Sequence, residues 1–225
     1  MSETKEKTKK RRRTPLSRDL ILERALSLAD KGGIEALSMR KLATALRVEA
    51  MSLYNHVKNK DDILDGLVEL VVAEIDVPTA SGDWREQMRG RAMSAHAILM
   101  KHPWATKLLM SRINIGPLML RYVDATLGCL LAAGFDYALA DHAWNTLDSY
   151  IYGFTLWRLS FPFEPDEYKD VAEEFMPQVP MQQYPHLAGL SLAVMQGRHD
   201  GQHDLSFGLE LLLDGLERLR APEKS

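Results

Sequence analysis

The sequence of 225 residues contains only one cysteine, Cys129, so no disulfide can form within the chain. A single thiol suits a reducing compartment, and we expect a cytoplasmic protein. Long apolar runs are also missing. The longest, LVELVVAEI at 67–75, is interrupted by glutamates and falls well short of the about 20 apolar residues that cross a bilayer. The basic N-terminus is not followed by an apolar stretch, so we expect neither a secretory signal nor a membrane span.

Common catalytic and metal-binding motifs are missing as well, among them phosphate-binding glycine loops and H-E-x-x-H. GLSLA at 189–193 resembles a nucleophile elbow only superficially, since its last glycine is missing and no strand precedes it. His199 and His203 lie four residues apart, a spacing that can ligate a metal on a helix. Gly201 between them favours a loop of solvated polar residues instead. We therefore predict no enzyme activity, no catalytic residues, no cofactor and no metal site.

Charge is distributed unevenly along the chain. The formal net charge is only −3, but residues 1–60 carry 15 Lys and Arg against 7 Asp and Glu, whereas residues 61–225 carry 13 against 24. A basic small part next to an acidic large part indicates that the first meets a polyanion, although an accident of solvated surface is the alternative. Residues 1–15 hold seven basic side chains and predict a disordered arm. Such arms contact phosphates or the minor groove; an inert solubilising tail is the other interpretation.

Helical periodicity continues from Pro15 almost to the end, and strand-like alternation is nowhere sustained, so the predicted class is all-α. Residues 16–76 predict a three-helix helix-turn-helix domain, in which Ser38 caps the second helix and a short link at 47–49 precedes the third. The turn-rich segment at 76–83 predicts a hinge, and 83–221 a C-terminal helical domain. Later helices are predicted at about 60–75, 84–101, 104–111, 117–133, 137–159, 184–196 and 204–219, with a weaker one near 166–176.

The stretch VEAMSLYNHVKNK at 48–60 is unusually polar for a short core helix. Leu53 and Val57 can pack inward with Val48, which leaves the other side chains pointing outward. The major groove of DNA admits one helix and displays donors, acceptors and thymine methyl groups, all of which such side chains can contact. A solvated amphipathic helix is the alternative. The predicted DNA-binding residues are Ser38, Arg40, Ala50, Met51, Ser52, Tyr54, Asn55, His56 and Lys60.

Residues 17–67, with the runs RKLA and SLYNHVKNK, resemble the DNA-binding domain of the tetracycline-repressor (TetR) family. HPWATKLL at 102–109, LDSYIYGF at 147–154 and FGLELLLDGLE at 207–217 extend the resemblance to a TetR-type C-terminal regulatory domain. It implies that the residues named above, from Arg40 to Lys60, contact operator DNA. Arg47 departs from the family, which usually has glycine in this turn, so the turn is either strained by about 1 kcal/mol or adds a backbone contact. Asn55 stands where the tetracycline repressor has an aromatic residue, so the operator need not match.

The resemblance also implies a homodimer held by two helices per subunit, here those at 137–159 and 204–219. The second helix carries two apolar stripes, whereas a single domain core needs one; a fully buried core helix is the alternative. A dimer would place its recognition helices about 34–36 Å apart on a pseudo-palindrome. The first stripe consists of Leu205, Leu209, Leu212, Leu216 and Leu219. The second consists of Phe207, Leu211 and Leu213.

A small-molecule pocket in the C-terminal domain is implied in the same way. The alternative is that the methionine and tryptophan residues of this domain simply pack in its hydrophobic core. Residues 67–76 and 107–113 lack the histidines with which the tetracycline repressor holds its metal-bound ligand, so we expect a largely apolar ligand instead. The candidate pocket residues are Met93, His96, Met100, Trp104, Leu108, Met110, Ile113, Trp144, Leu147 and Phe154.

These inferences predict a DNA-binding transcriptional regulator, a repressor that a small ligand releases from a double-stranded, pseudo-palindromic operator. The ligand must bind the DNA-competent and DNA-incompetent states unequally. One alternative is a ligand-independent activator or architectural protein. Another is an all-α enzyme that kept a vestigial helix-turn-helix.

Overall fold

The structure, a computed structural model, describes residues 15–161, 167–199 and 203–220. Except for Pro15, the predicted arm at 1–15 lies outside these ranges. The described residues form α-helices and no strand, which confirms the all-α prediction. The helices are α1 Arg18–Gly32, α2 Met39–Leu46, α3 Ala50–Leu53, α4 Lys60–Ala73, α5 Trp84–Lys101, α6 Ala105–Ser111, α7 Pro117–Ala132, α8 Tyr137–Ser160, α9 Tyr168–Phe175, α10 Pro185–Met195 and α11 Leu205–Leu219.

Two compact units make up the chain, and the division between them falls inside α4, after Leu67. The first half of α4 belongs to the first unit because α1 holds it. Arg18 forms an ion pair with Asp62 over 2.8 Å. Gly66 allows close packing, since a Cβ atom there would come within 2.6 Å of a Leu22 methyl carbon. The domain bounds 16–76 and 83–221 remain a prediction, and residues 76–83 are irregular.

Serine residues cap the first two helices of the first unit, as their residue type predicts. Ser17 Oγ accepts a hydrogen bond from the Leu20 N–H, and Ser38 Oγ accepts one from the Lys41 N–H, both over 3.2 Å. A side-chain acceptor at this position satisfies a donor that the helix leaves unpaired. Apolar side chains from the four helices meet behind these caps. The buried set is Ile21, Leu22, Ala25, Ala29, Leu37, Leu42, Ala43, Leu53, Val57, Ile63, Leu64 and Leu67.

Arg47 ends α2 in the left-handed region, at φ 56° and ψ 46°. It is the one non-glycine residue with positive φ among the described residues. An L side chain in this region costs roughly 1–2 kcal/mol, so the strain predicted from the missing glycine is present. The αL turn lets the Arg47 and Val48 N–H groups bond back to carbonyls of α2, which closes the helix and starts the turn toward α3.

We expect Arg47→Gly to raise the free energy of unfolding by about 1 kcal/mol, because glycine adopts this conformation without a Cβ clash. Urea denaturation followed by circular dichroism measures the change. Arg47→Ala is the matched control, since it removes the side chain but keeps the strain. If the glycine variant were no more stable than the alanine variant, backbone strain at this turn would not be the cause.

The second unit forms helices within about two residues of most predicted bounds. Asp83, Asp136 and Asp204 each accept a backbone N–H at the start of α5, α8 and α11. α8 crosses the centre of the unit, where Leu147 and Ile151 are fully buried. Within the described ranges, none of the helices has the length and apolar character needed to cross a membrane.

Candidate nucleic-acid interface and effector cavity

The predicted DNA-contacting stretch folds as one helical turn followed by a non-helical turn. α3 ends at Leu53, so the helix predicted for 50–56 is too long. The Tyr54 and His56 N–H groups bond three residues back, to Met51 and Leu53 carbonyls, instead of continuing the α-helical pattern. The Val57 N–H returns to the Leu53 carbonyl over 3.0 Å, so the chain stays tightly turned after α3 and the polar side chains stay adjacent.

Burial separates the two kinds of side chain in this stretch as predicted. Leu53 and Val57 are buried at 0 % and 2 % exposure, whereas Met51 and Tyr54 are 75 % and 47 % exposed. Ala50, Ser52 and Ser38 are partly buried, and the Ser38 hydroxyl is used by its helix cap. The remaining predicted contact residues are all exposed: Arg40, Asn55, His56 and Lys60.

Asp62 holds the turn between α3 and α4, a role that the sequence did not reveal. Its Oδ2 accepts the Lys58 N–H over 2.8 Å, while its own N–H donates to Asn59 Oδ1 over 2.8 Å. Hydrogen bonding with Arg18, the largest cause, lowers the pKa of Asp62, so the carboxylate stays ionised. Asn59 and Asp62 thus fix the start of α4, where the exposed Lys58 and Lys60 flank the polar turn.

Within the second unit, which includes the last residues of α4, one carboxylate joins α4 to α7. Glu69 Oε2 accepts the Leu118 N–H over 2.8 Å and Oε1 accepts the Met119 N–H over 3.0 Å. A Cβ atom at Gly116 would lie 2.2 Å from the Glu69 carboxyl carbon, so a larger residue there would require the carboxylate to move away from α7. Negative charge at a helix N-terminus is favourable, and this contact fixes the first turn of α7 against α4.

That first turn of α7 forms one side of a cavity of about 450 Å³, which is completed by α6 and α8. Its volume lies within the roughly 300–1,000 Å³ typical of small-molecule sites. The lining combines aromatic rings with a few polar groups. The lining residues are Leu109, Met110, Arg112, Asn114, Met119, Tyr122, Val123, Trp144, Asn145, Asp148, Ser149 and Tyr152.

Asp148, which lines this cavity, forms an ion pair with the buried Arg91. The Arg91 guanidinium bonds Asp148 Oδ1 through Nη2 and stacks 4.9 Å from the centre of the Tyr122 ring. Asp148 Oδ2 accepts Trp144 Nε1 over 2.8 Å and the Tyr152 hydroxyl over 3.3 Å. Burial opposes the charge of Arg91, but the Asp148 carboxylate outweighs it and raises the pKa of Arg91.

Only two of the ten predicted pocket residues, Met110 and Trp144, line this cavity. Trp104, Leu108 and Leu147 are buried in the packing of the second unit. Ile113 is 91 % exposed and Met93 is 42 % exposed, so neither has the enclosure of a pocket wall. Three predicted residues remain, all partly buried: Met100, His96 and Phe154.

His96 and Phe154 contact each other in a second aromatic group. Their rings stand edge to face with centres 5.5 Å apart. His96 Nδ1 lies 2.8 Å from Thr155 Oγ1, and the Thr155 hydroxyl donates to the Ile151 carbonyl over 2.7 Å. Burial, the largest cause, lowers the pKa of His96. These contacts give both side chains a structural role in the α5–α8 packing.

Asp148 and Arg91 are absent from the predicted pocket residues because those were predicted from their apolar character. A signal was present, since Asp148 is an acidic residue between the apolar residues Trp144, Leu147 and Ile151 of the same helix. A carboxylate on such a face is rarely buried without a partner. The pattern therefore indicated a buried cation in another helix, which the structure identifies as Arg91.

α8 and α11 pack together and leave apolar side chains on their outer sides. The Tyr150 hydroxyl donates to the Leu205 carbonyl over 3.0 Å, and a Cβ atom at Gly208 would collide with that hydroxyl. Of the predicted stripes, the buried positions are Leu205, Leu209, Leu213 and Leu216. The exposed apolar residues on the two helices are Tyr137 at 78 %, Phe207 at 74 %, Leu219 at 68 %, Leu211 at 61 % and Trp157 at 39 %.

Metal-binding geometry is not found in the part of the chain that the structure describes, where no group of three or more His, Cys, Asp or Glu could hold an ion. The His203 ring packs against Trp157, with ring centres 5.2 Å apart. His199 lines a separate apolar cavity between α9 and α10.

Comparisons with known proteins agree on both units. Residues 21–67 match the family model of bacterial regulatory proteins, tetR family, and residues 78–220 match that of the tetracyclin repressor-like C-terminal domain. A transcriptional repressor of Streptomyces coeruleorubidus, DrrR1, is 30 % identical over 93 % of this chain and 80 % of its own length. An HTH-type transcriptional regulator of Saccharopolyspora erythraea is 37 % identical over 61 % of this chain, but the match spans only 59 % of that protein. The crystal structure of Streptomyces coelicolor ActR with actinorhodin is 27 % identical and superposes with a TM-score of 0.77 over 93 % of this chain and all of that one.

Proposed function

The chain belongs to the TetR family of DNA-binding transcriptional regulators, and we propose that it is a repressor that a small molecule releases from its operator. The observation that carries the proposal is the outward presentation of Met51, Tyr54, Asn55 and His56 by a chain segment that the family model covers. Repression is supported by similarity to proteins named as repressors.

Each of the predicted DNA-binding residues has a role that its chemistry and exposure support. Met51 is placed to contact thymine methyl groups, and Asn55 and His56 to hydrogen-bond base edges in the major groove. The Tyr54 phenol, Arg40 and Lys60 are suited to phosphates, which position a protein without reading sequence. Ser38 supports binding through its helix cap, and Ala50 and Ser52 complete the contact surface.

We assign dimerisation to α8 and α11. Their exposed apolar residues, led by Phe207 and Leu211, form the kind of surface that monomeric proteins seldom leave in water. A two-fold dimer matches a pseudo-palindromic operator, because each subunit then reads one half-site.

We expect Phe207→Glu combined with Leu211→Glu to convert the protein to a monomer, because two carboxylates would be desolvated on each side of the interface. Sedimentation velocity measures the change in mass. Leu120→Glu is the control, since Leu120 is a 55 % exposed leucine on α7 outside the assigned interface. A variant that stays dimeric with both glutamates in place would refute the assignment of α8 and α11.

The effector site is assigned to the cavity beside α7 and α8. Ligands appear in the names of similar proteins: a relative is called tetracycline repressor class D, and ActR was crystallised with actinorhodin. A ligand in the cavity would touch Met119, whose N–H is held by Glu69 of α4. α4 begins at Lys60, beside the proposed DNA-binding residues, so it is the element through which ligand binding would change operator affinity.

A mobility-shift experiment with the DNA upstream of the protein's own gene, repeated at rising salt, tests this function. Retention of one fragment over random DNA at about 150 mM salt supports a specific regulator, because non-specific binding weakens steeply with salt. Uniform, salt-sensitive retention of all fragments would favour the architectural alternative. No retention at any salt would leave the enzyme alternative.

A further inference from the structure

The cavity beside α7 and α8 has an aromatic wall. Trp144, Tyr122 and Tyr152 all line it, next to the side chains of Met110 and Met119. Aromatic rings interact best with other rings in offset-stacked or edge-to-face arrangements, and methionine fills the gaps around them. The wall therefore favours a flat, aromatic ligand over a branched aliphatic one.

The charges around the cavity are balanced. Asp148 lines it, and Arg91 compensates its carboxylate directly. Burial raises the pKa of Tyr122 to about 12 and that of Tyr152 well above its usual value, so both phenols stay neutral. Arg112 also lines it but is partly exposed, so water screens its charge. An ionised ligand would lose its hydration without gaining a buried counter-charge, so the site favours a neutral molecule.

One buried acceptor in the cavity lacks a donor. Asn114 lines the cavity and its Nδ2 donates to the Leu109 and Arg112 carbonyls over 3.2 and 3.1 Å, which fixes the orientation of the amide. Its Oδ1 is buried and has no hydrogen-bond partner among the described residues. Buried acceptors are almost always paired, so a hydroxyl of a bound molecule fits this position.

We propose that this cavity binds a neutral aromatic compound with a phenolic hydroxyl, which packs on Trp144 and donates a hydrogen bond to Asn114 Oδ1. The proposal rests on the effector function assigned to this cavity above, and it specifies the chemical class of the effector. It refines the sequence-based expectation of a largely apolar ligand by one required hydrogen bond.

Isothermal titration calorimetry of the full chain at pH 7 with three probes tests the proposal. The probes are 2-naphthol, which has a neutral hydroxyl, naphthalene, which has none, and 2-naphthoate, which is an anion. We expect 2-naphthol to bind about tenfold more tightly than naphthalene, the effect of one well-formed hydrogen bond, and more tightly than 2-naphthoate. Equal or tighter binding of either other probe, or no binding of any probe, would overturn the proposal.

Two asparagines on the same cavity provide a matched pair of variants. Asn114→Ala should lower the preference for 2-naphthol over naphthalene to about one. Asn145→Ala should leave it unchanged, because the Asn145 amide already donates to Asp141. A preference that survives in Asn114→Ala would contradict the assigned hydrogen bond.

The Asn114 side chain also hydrogen-bonds backbone carbonyls next to it, so its substitution changes more than the ligand contact. Trp144→Leu therefore tests the same site through a different residue. It should weaken 2-naphthol binding about fivefold through loss of ring packing, whereas Tyr184→Leu, at a 52 % exposed aromatic residue outside the cavity, should not. Unchanged affinity in Trp144→Leu would place the probe elsewhere and refute the site. Operator retention measured on the same preparation separates the two proposals: retention without probe binding rejects only the ligand class, and probe binding without retention rejects only the repressor function.

Discussion

Replacing Tyr54 and His56 together with alanine is expected to abolish specific operator binding and to leave the fold and the dimer intact. Both side chains are exposed and neither contributes to the core beneath α3. Each lost contact to a base or phosphate costs roughly 1–3 kcal/mol, so the double variant should lose about 100-fold or more in affinity. Fluorescence anisotropy with a labelled operator measures the loss, and thermal unfolding checks the fold.

The control uses the same two residue types on the second unit. Tyr184 is 52 % exposed and His186 is exposed, so the Tyr184→Ala, His186→Ala variant removes equal chemistry at the same spacing, outside both the proposed DNA surface and the assigned dimer interface. It should bind operator within about twofold of the unaltered protein. A loss of stability in the Tyr54, His56 variant, or equal affinity losses in the two variants, would show that the polar turn is not the contact surface.

Arg91→Leu is expected to cost about 3–5 kcal/mol of the free energy of unfolding, because it leaves the Asp148 carboxylate, only 15 % exposed, without its counter-ion. Arg91 is 1 % exposed, and its partner lies against the cavity between Trp144 and Tyr152. Chemical denaturation with urea at pH 7 measures the effect.

Two further variants test whether the loss of stability comes from the unpaired Asp148 carboxylate or from removing any cation. Arg91→Leu with Asp148→Asn should recover much of the lost stability, because asparagine can still accept from Trp144 Nε1 without carrying a charge. Lys169→Leu breaks an exposed pair with Glu173, 3.9 Å apart, and should change stability by less than about 0.5 kcal/mol. If Asp148→Asn gave no recovery, the cost would come from packing and not from charge.

Most of the fold follows from local sequence signals. Ser17, Ser38 and Asn59 each cap a helix where their residue type predicts it, because a side-chain oxygen next to free N–H groups acts locally. The end of α3 could not be predicted in this way. The apolar spacing of Leu53 and Val57 fits both a longer helix and the observed turn, and the Asp62 contacts that hold the turn come from the next helix.

The same distinction between local signals and contacts from distant residues applies to the two candidate sites. The outward residues of 48–60 were predictable because the inward ones, Leu53 and Val57, are apolar and define the opposite face. The cavity was not predictable, since it depends on how α6, α7 and α8 come together. Its distinguishing residues, Arg91, Asn114 and Asp148, are polar and far apart in sequence. Among the pocket residues predicted from apolar character, Leu147 is buried in the core, and the role of that set in ligand binding stays a prediction.

Methylation interference on the retained operator fragment tests the central claim most directly. Dimethyl sulfate modifies guanine N7 in the major groove and adenine N3 in the minor groove, so it reports which groove the protein enters. Two clusters of guanine N7 positions, about 10 base pairs apart, should block binding, as expected for two copies of the 48–60 turn on one face of the duplex. Interference confined to adenine N3, or none at all on a specifically retained fragment, would contradict it.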